Sequence, residues 1–146
     1  MQPYIIILIF SLLFTLHQAF AQSAEAVLDQ WYTEEQKATV EIYQCGDAYC
    51  GKIVALKNPN NPDGSPKLDV NNPDKSLQSR PIIGTNILTG LQYEGDNEWE
   101  DGKIYDPESG KTYSCQMQLE GPNTLEIRGF IGISLIGRSQ TWTRVE

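Results

Sequence analysis

The sequence predicts an all-β fold, a small sandwich or barrel of antiparallel strands. Apolar and polar residues alternate through several short runs after residue 37, and Gly, Pro and Asn punctuate the gaps between them. No stretch beyond the apolar leader sustains a helical stripe. The chain after that leader is about 125 residues, one domain's worth, able to bury roughly two-thirds of its unfolded surface.

The leader, "MQPYIIILIFSLLFTLHQAFAQS", is apolar from Ile5 to Leu16, and Ala19-Phe20-Ala21 supplies small residues before a cleavage point. Residues 1–21 are therefore expected to be a signal peptide cut after Ala21, leaving 22–146 as a single domain in the periplasm or outside the cell. The apolar run is short for a bilayer span and lacks a basic stop flank, so no transmembrane segment is expected after its removal. No Cys follows the cut to carry a lipid.

"SAEAVLDQ" predicts a helical turn or two capped by Ser23. "ATVEIYQ" alternates Ala38, Val40 and Ile42 against Thr39, Glu41 and Tyr43, and "YCGKIVALK" follows at once, so the two form a hairpin with the Cys45 to Cys50 loop at its tip. Lys57 to Pro81 holds most of the prolines and few residues suited to burial, and reads as a long Ω-like loop. Asn61, Asp63 and Gly64 hint at a calcium loop, but the first and last ligand positions would be Pro59 and Val70, so the EF-hand pattern fails. "NILTGLQY", "EWEDGKIYD", "KTYSCQMQL", "TLEIRGF" and "RSQTWTRV" complete the strands.

"YDPESGKTY" contains Gly-Lys-Thr, yet a phosphate-cradling loop needs a Gly at the Tyr105 position and a helix after Thr112. The hairpin-turn reading accounts for more. Asp106 can accept from the backbone beyond it, Pro107 presets φ, and Gly110 suits a left-handed residue.

A formal charge of −8 lies wholly outside the leader. It favours solubility and argues against a nucleic-acid partner, which would need a basic face. Cys45 and Cys50 read as a disulfide in an exported chain, with a metal pair as the alternative; two sulfurs make a poor zinc site when the single His, His17, leaves with the leader. Cys115 shares a face with Tyr113, Met117 and Leu119 and reads as a buried free thiol, since no His remains to activate it. No metal or other cofactor is expected.

"RGFIGISLIGR", Arg128 to Arg138, is apolar where a connection is normally polar. The favoured reading is a strand continuation bent by glycine bulges, its apolar residues closing the barrel floor. The functional alternative is a lip over a ligand cavity, or a patch touching membrane or partner.

Together, "VEIYQCGDAYCGKIVAL", "GKIYDPESGKTYS" and "LEIRGFIGISLIGRSQTWTRV" resemble the DUF2147 family, small exported bacterial proteins whose domain has no assigned function. "NNPD" and "SRPIIG" in the central loop are similar to the family as well. The resemblance runs from about Trp31 to Val145 and implies export, a Cys45–Cys50 disulfide and a β-rich domain, but no established activity. Gln44 replaces a Pro common before the first Cys, and Cys115 is particular to this chain. A fainter likeness to lipocalin barrels pairs Trp31, on a first strand, with Arg144 (or Arg138) near the chain's end. The fold expected is thus an antiparallel up-and-down barrel with a short N-terminal helix and the 57–81 loop.

Three functions follow. The first is an exported barrel binding an apolar or amphipathic, lipid-like small molecule, in a cavity lined by Val40, Ile42, Ile53, Leu125 and Ile127, with Phe130 and Trp142. Asp106, Lys111, Tyr113, Arg128 and Arg138 are the candidate polar cluster. The second is an envelope protein-interaction module with a filled barrel. The third is an enzyme using carboxylate and Tyr chemistry; no acid pair stands out to carry it, so no catalytic residue is assigned.

Overall fold

The computed structural model describes residues 23–146, so the leader and its cleavage point lie outside the described residues. Eight antiparallel strands follow one another around a closed barrel: β1 (Gln30–Tyr32), β2 (Ala38–Cys45), β3 (Ala48–Leu56), β4 (Asn86–Gly95), β5 (Glu98–Asp106), β6 (Lys111–Gly121), β7 (Thr124–Phe130) and β8 (Gly137–Arg144). Alternation sets the two faces. On β7, Leu125 and Ile127 are buried between the half-exposed Glu126 and Arg128; on β6, Cys115, Met117 and Leu119 are buried. Outward positions such as Glu41, Lys52, Glu100 and Lys103 are polar.

Register shifts in five of the strand pairs tighten the curvature. At one of them, Gly102 leaves the space that Leu91 fills, for a Cβ there would overlap the leucine side chain.

An up-and-down barrel puts its connections at two ends. The β2–β3, β4–β5 and β6–β7 turns are short, and the first and last of the described residues meet them at a closed base. There Trp31 is fully buried, its Nε1 donating to the Val27 carbonyl oxygen at 2.9 Å. Arg144 lies over the indole at 4.3 Å from the ring centroid. Its guanidinium also donates to the carbonyl oxygens of Pro122 (2.7 Å) and Ala26 (2.8 Å) and to Asp29 Oδ2 (2.8 Å). The Gln30 amide, and after it Arg144, hold the Asp29 carboxyl below the usual carboxylate range. Arg144 takes the place beside Trp31, while Arg138 stands at the opposite end of β8 near Glu34.

The predicted N-terminal helix is a single 3-10 turn, Ala24–Val27; Ser23 stands at its cap position but makes no side-chain cap bond. Four residues form one turn, and the buried Val27 rather than a capping hydroxyl fixes it. Cys45 and Cys50 form a disulfide at the tip of the β2–β3 hairpin, at the base, stabilising by about 2 kcal/mol on the chain-entropy argument. Cys115 is buried in the interior, and burial pushes its thiol up to about 12.

If Arg144 closes the base through its planar fork, Arg144→Lys keeps the charge and still weakens the seam. The expected loss is about 2 kcal/mol, read as a lower thermal midpoint with an unchanged far-ultraviolet spectrum. A midpoint equal to the parent's would show that the base is held otherwise.

Candidate functional site

The other barrel end carries the connections 33–37, 57–85, 107–110 and 131–136, and beneath them the interior is hollow. The chamber measures about 1200 Å³. Its origin lies in a taper of the inward-facing residues. From base to mouth these run Leu125, Ile127, Gly129 on β7 and Trp142, Gln140 on β8. Towards the base, Trp31, Trp99, Leu88, Leu91 and Met117 are fully buried against one another. Towards the mouth, a glycine and shorter or polar side chains leave the volume unfilled. Ile53, Ile87, Ile104, Ile127 and Phe130 make its apolar wall, and Tyr113, Gln140 and Trp142 add polar atoms. Trp142 Nε1 is satisfied by Gln140 Oε1 at 3.2 Å, so the pair faces the chamber already hydrogen-bonded.

The 57–85 connection is a folded roof rather than a polar excursion, and it runs four residues past the predicted limit at Pro81. Bridges at Asn60–Pro66 and Leu68–Pro81 draw it into a double-backed flap, while Ile53 and Ile82–Thr85 pin its end to β3. Asp69 is its anchor, with no exposed surface. The carboxylate accepts from Tyr105 Oη (2.6 Å), Asn72 Nδ2 (2.8 Å), Arg80 Nε (2.9 Å) and Arg80 Nη2 (2.8 Å). Burial alone would raise the Asp69 carboxyl, but the bonds from Tyr105, Asn72 and Arg80 outweigh it and hold the group below its ordinary value. Burial, then Asp69 itself, pushes the Tyr105 hydroxyl up to about 12. Sequence reasoning missed Asp69, which looks like any solvated acid of a polar loop.

A second tie joins the roof to the "YDPESGKTY" stretch. That stretch is a tight turn: Asp106 Oδ1 accepts from the Glu108 amide at 3.0 Å, Asp106 Oδ2 from Ser109 Oγ at 2.6 Å, and Gly110 has φ +71°. Asn71 Nδ2 donates to the carbonyl oxygens of Pro107 (3.2 Å) and Glu108 (2.9 Å), and the Asn71 backbone sits where a Cβ on Gly110 would be. The turn therefore serves as a seat for the roof.

The proposed lining residues separate by depth. Ile53, Ile127, Phe130 and Trp142 face the chamber, whereas Val40, Ile42 and Leu125 pack in the filled base. The polar candidates do not form one cluster. Asp106, Tyr113 and Arg138 border the chamber. Lys111 pairs in register with Asp106 at the turn, and Arg128 holds the 131–136 connection from outside. That connection departs from the expected strand continuation: Ile131, Ile133, Leu135 and Ile136 are exposed at the mouth and close no floor. Gly132, at φ +77°, and the Ile133–Ile136 turn bend the chain out of the sheet. Among the described residues no group of three or more His, Cys, Asp or Glu is placed to hold a metal ion.

A family model described as "Uncharacterized protein conserved in bacteria (DUF2147)" matches residues 29–144. No curated protein matches the chain. Among solved structures, protein HP1028 from the human pathogen Helicobacter pylori, described as belonging to the lipocalin family, superposes with a TM-score of 0.70 at 24% identity, covering 82% of this chain and 83% of that one. The likeness shows a shared lipocalin-like barrel.

Asp69→Asn removes the charge that Arg80 and Tyr105 converge on, with an expected loss of about 2 kcal/mol. The roof should then be cut by protease within residues 57–85 before the barrel is. Because the folded Asp69 value is depressed, its contribution is complete above the ordinary carboxylate range near pH 4 and is lost as pH falls through the lower folded value. Equal protease resistance in the variant would show that the roof is anchored elsewhere.

Proposed function

We propose a binding function for this chain, which belongs to the DUF2147 family: it carries one apolar or amphipathic small molecule in the upper half of its barrel. The observation that carries this reading is the chamber of about 1200 Å³ walled by Ile53, Ile87, Ile104, Ile127 and Phe130. Small-molecule sites occupy about 300–1000 Å³ and are mostly apolar with a few placed polar groups. Tyr113 and Gln140 inside, with Arg138 at the mouth, supply those groups. A molecule with an apolar body and a polar end fits such a wall better than a fully polar one does.

The alternative of an envelope interaction module with a filled barrel has less support, since only the base is filled. Export is part of the same proposal: residues 1–21 direct secretion, cleavage follows Ala21, and 22–146 works as one domain in the periplasm or outside the cell. The Cys45–Cys50 disulfide supports an oxidising compartment.

Gly129 offers a direct test, because a Cβ there meets only Ile104 Cγ2 at 3.4 Å and looser contacts, leaving room for a side chain to enter the chamber. The parent should bind the amphipathic fluorophore anilinonaphthalene sulfonate, an apolar ring system with one anionic end, saturably at one site. Gly129→Leu, with its thermal midpoint preserved, should weaken that binding about tenfold by displacing part of the occupied volume. Unsaturable binding in the parent, or equal binding in the variant, would count against a ligand in the chamber.

A further inference from the structure

Apolar side chains stand in water around one opening. On the 131–136 connection Leu135 is 85% exposed and Ile131 74%, with Ile133 and Ile136 also exposed; across the mouth, on the roof, Val70 is 62% exposed. Single exposed apolar residues are ordinary, but five at the rim of one chamber form a patch that calls for a partner.

Two features select that partner. The first is how the connection's backbone is satisfied. Arg128, rising from the outer face of β7, donates from Nε to the Ser134 carbonyl oxygen (2.6 Å), from Nη2 to that of Leu135 (3.4 Å) and from Nη1 to Ser139 Oγ (3.0 Å). The Ile136 amide donates to the Ile133 carbonyl oxygen at 3.1 Å. Three of the connection's carbonyls are thus bonded from within and leave water at smaller cost, which eases dipping the loop into the boundary of a bilayer.

The second feature is where the charge lies. At the mouth, the connections and the strand residues beside them carry seven cations and seven carboxylates, Asp69 among them already matched to Arg80. At the base, eight carboxylates, including Glu25, Asp47, Asp96 and Glu120, face Arg144 alone. Nearly all of the formal −8 is therefore at the end away from the mouth. Strands of this length separate the two ends by roughly 25 Å, about three Debye lengths at physiological salt. An anionic surface thus repels the base more than the mouth, where Lys37, Lys57, Lys67 and Arg138 stand beside Glu34, Asp106 and Glu108 around the chamber.

We propose that the mouth docks on a lipid bilayer, with Ile131, Ile133, Leu135 and Ile136 entering the headgroup boundary and the acidic base pointing away. Docked so, the chamber opens onto the lipid, and an amphiphile passes between membrane and barrel without crossing water. That transfer rests on the ligand-binding reading; the docking does not, and the two fail separately.

The test is co-sedimentation of the protein, as an exporting cell yields it and with its N-terminus read by intact mass, on vesicles of phosphatidylglycerol and phosphatidylethanolamine and on vesicles of phosphatidylcholine alone. The parent should partition onto both kinds of vesicle, since the mouth carries no net charge and its apolar side chains supply the attraction. Ile133→Ser/Leu135→Ser, both substitutions lying in exposed positions, should lower partitioning about tenfold or more with an unchanged thermal midpoint and unchanged fluorophore binding. Absence of partitioning by the parent, or equal partitioning by the double variant, overturns the proposal. A parent dimer in gel filtration that the double variant abolishes, without vesicle binding, also overturns it and assigns the patch to a second copy of the chain. Vesicle binding with no fluorophore in the chamber would leave docking standing and remove transfer.

Discussion

A barrel closed through a three-residue strand has little ladder with which to hold its seam. β1 offers only Trp31 and Tyr32 to β8, so the closure depends on side chains at the base. Arg144 supplies them with one group: its face covers the Trp31 indole while its edges bind Asp29 and two backbone carbonyls from different segments. The N-terminal turn, the β6–β7 turn and the last strand are thereby fixed to one point. The Cys45–Cys50 bridge pins the β2–β3 hairpin at the same end. With the base held in this way, the opposite end of the barrel is free to remain unfilled.

That freedom is used by the inward-facing residues of the upper barrel. A filled lower half supplies the buried apolar area that a domain of this size needs, and the upper half holds a chamber instead of a core. The roof over it is held by polar bonds from Asp69 and Asn71 rather than by apolar packing alone. Such bonds are directional and strong only while every partner is present, which makes the roof a unit distinct from the barrel it covers.

Much of this was legible in the sequence. Period-two alternation located β2 to β8 within a residue or two, and the limits of β5 and β7 coincide with "EWEDGKIYD" and "TLEIRGF". The Trp31–Arg144 contact came only through resemblance, because no local pattern joins residues at opposite ends of a chain. The 131–136 connection was misread because an apolar run between glycines looks like a strand wherever its surroundings are unknown. Asp69 gave no signal, since an acid's burial depends on what folds over it. The depth of the chamber was equally hidden. Ile127 and Leu125 are identical in kind, and only the residues opposite them decide which lines a void and which fills a floor.

The account turns on whether the upper chamber holds a molecule. Native mass spectrometry of the protein recovered from an exporting cell, beside the same sample after gentle organic extraction, measures that directly. The account predicts added mass, corresponding to one lipid-like or other small amphiphile per chain, that extraction removes. A single bare mass in both samples, with no thermal shift across a panel of lipids, would contradict it.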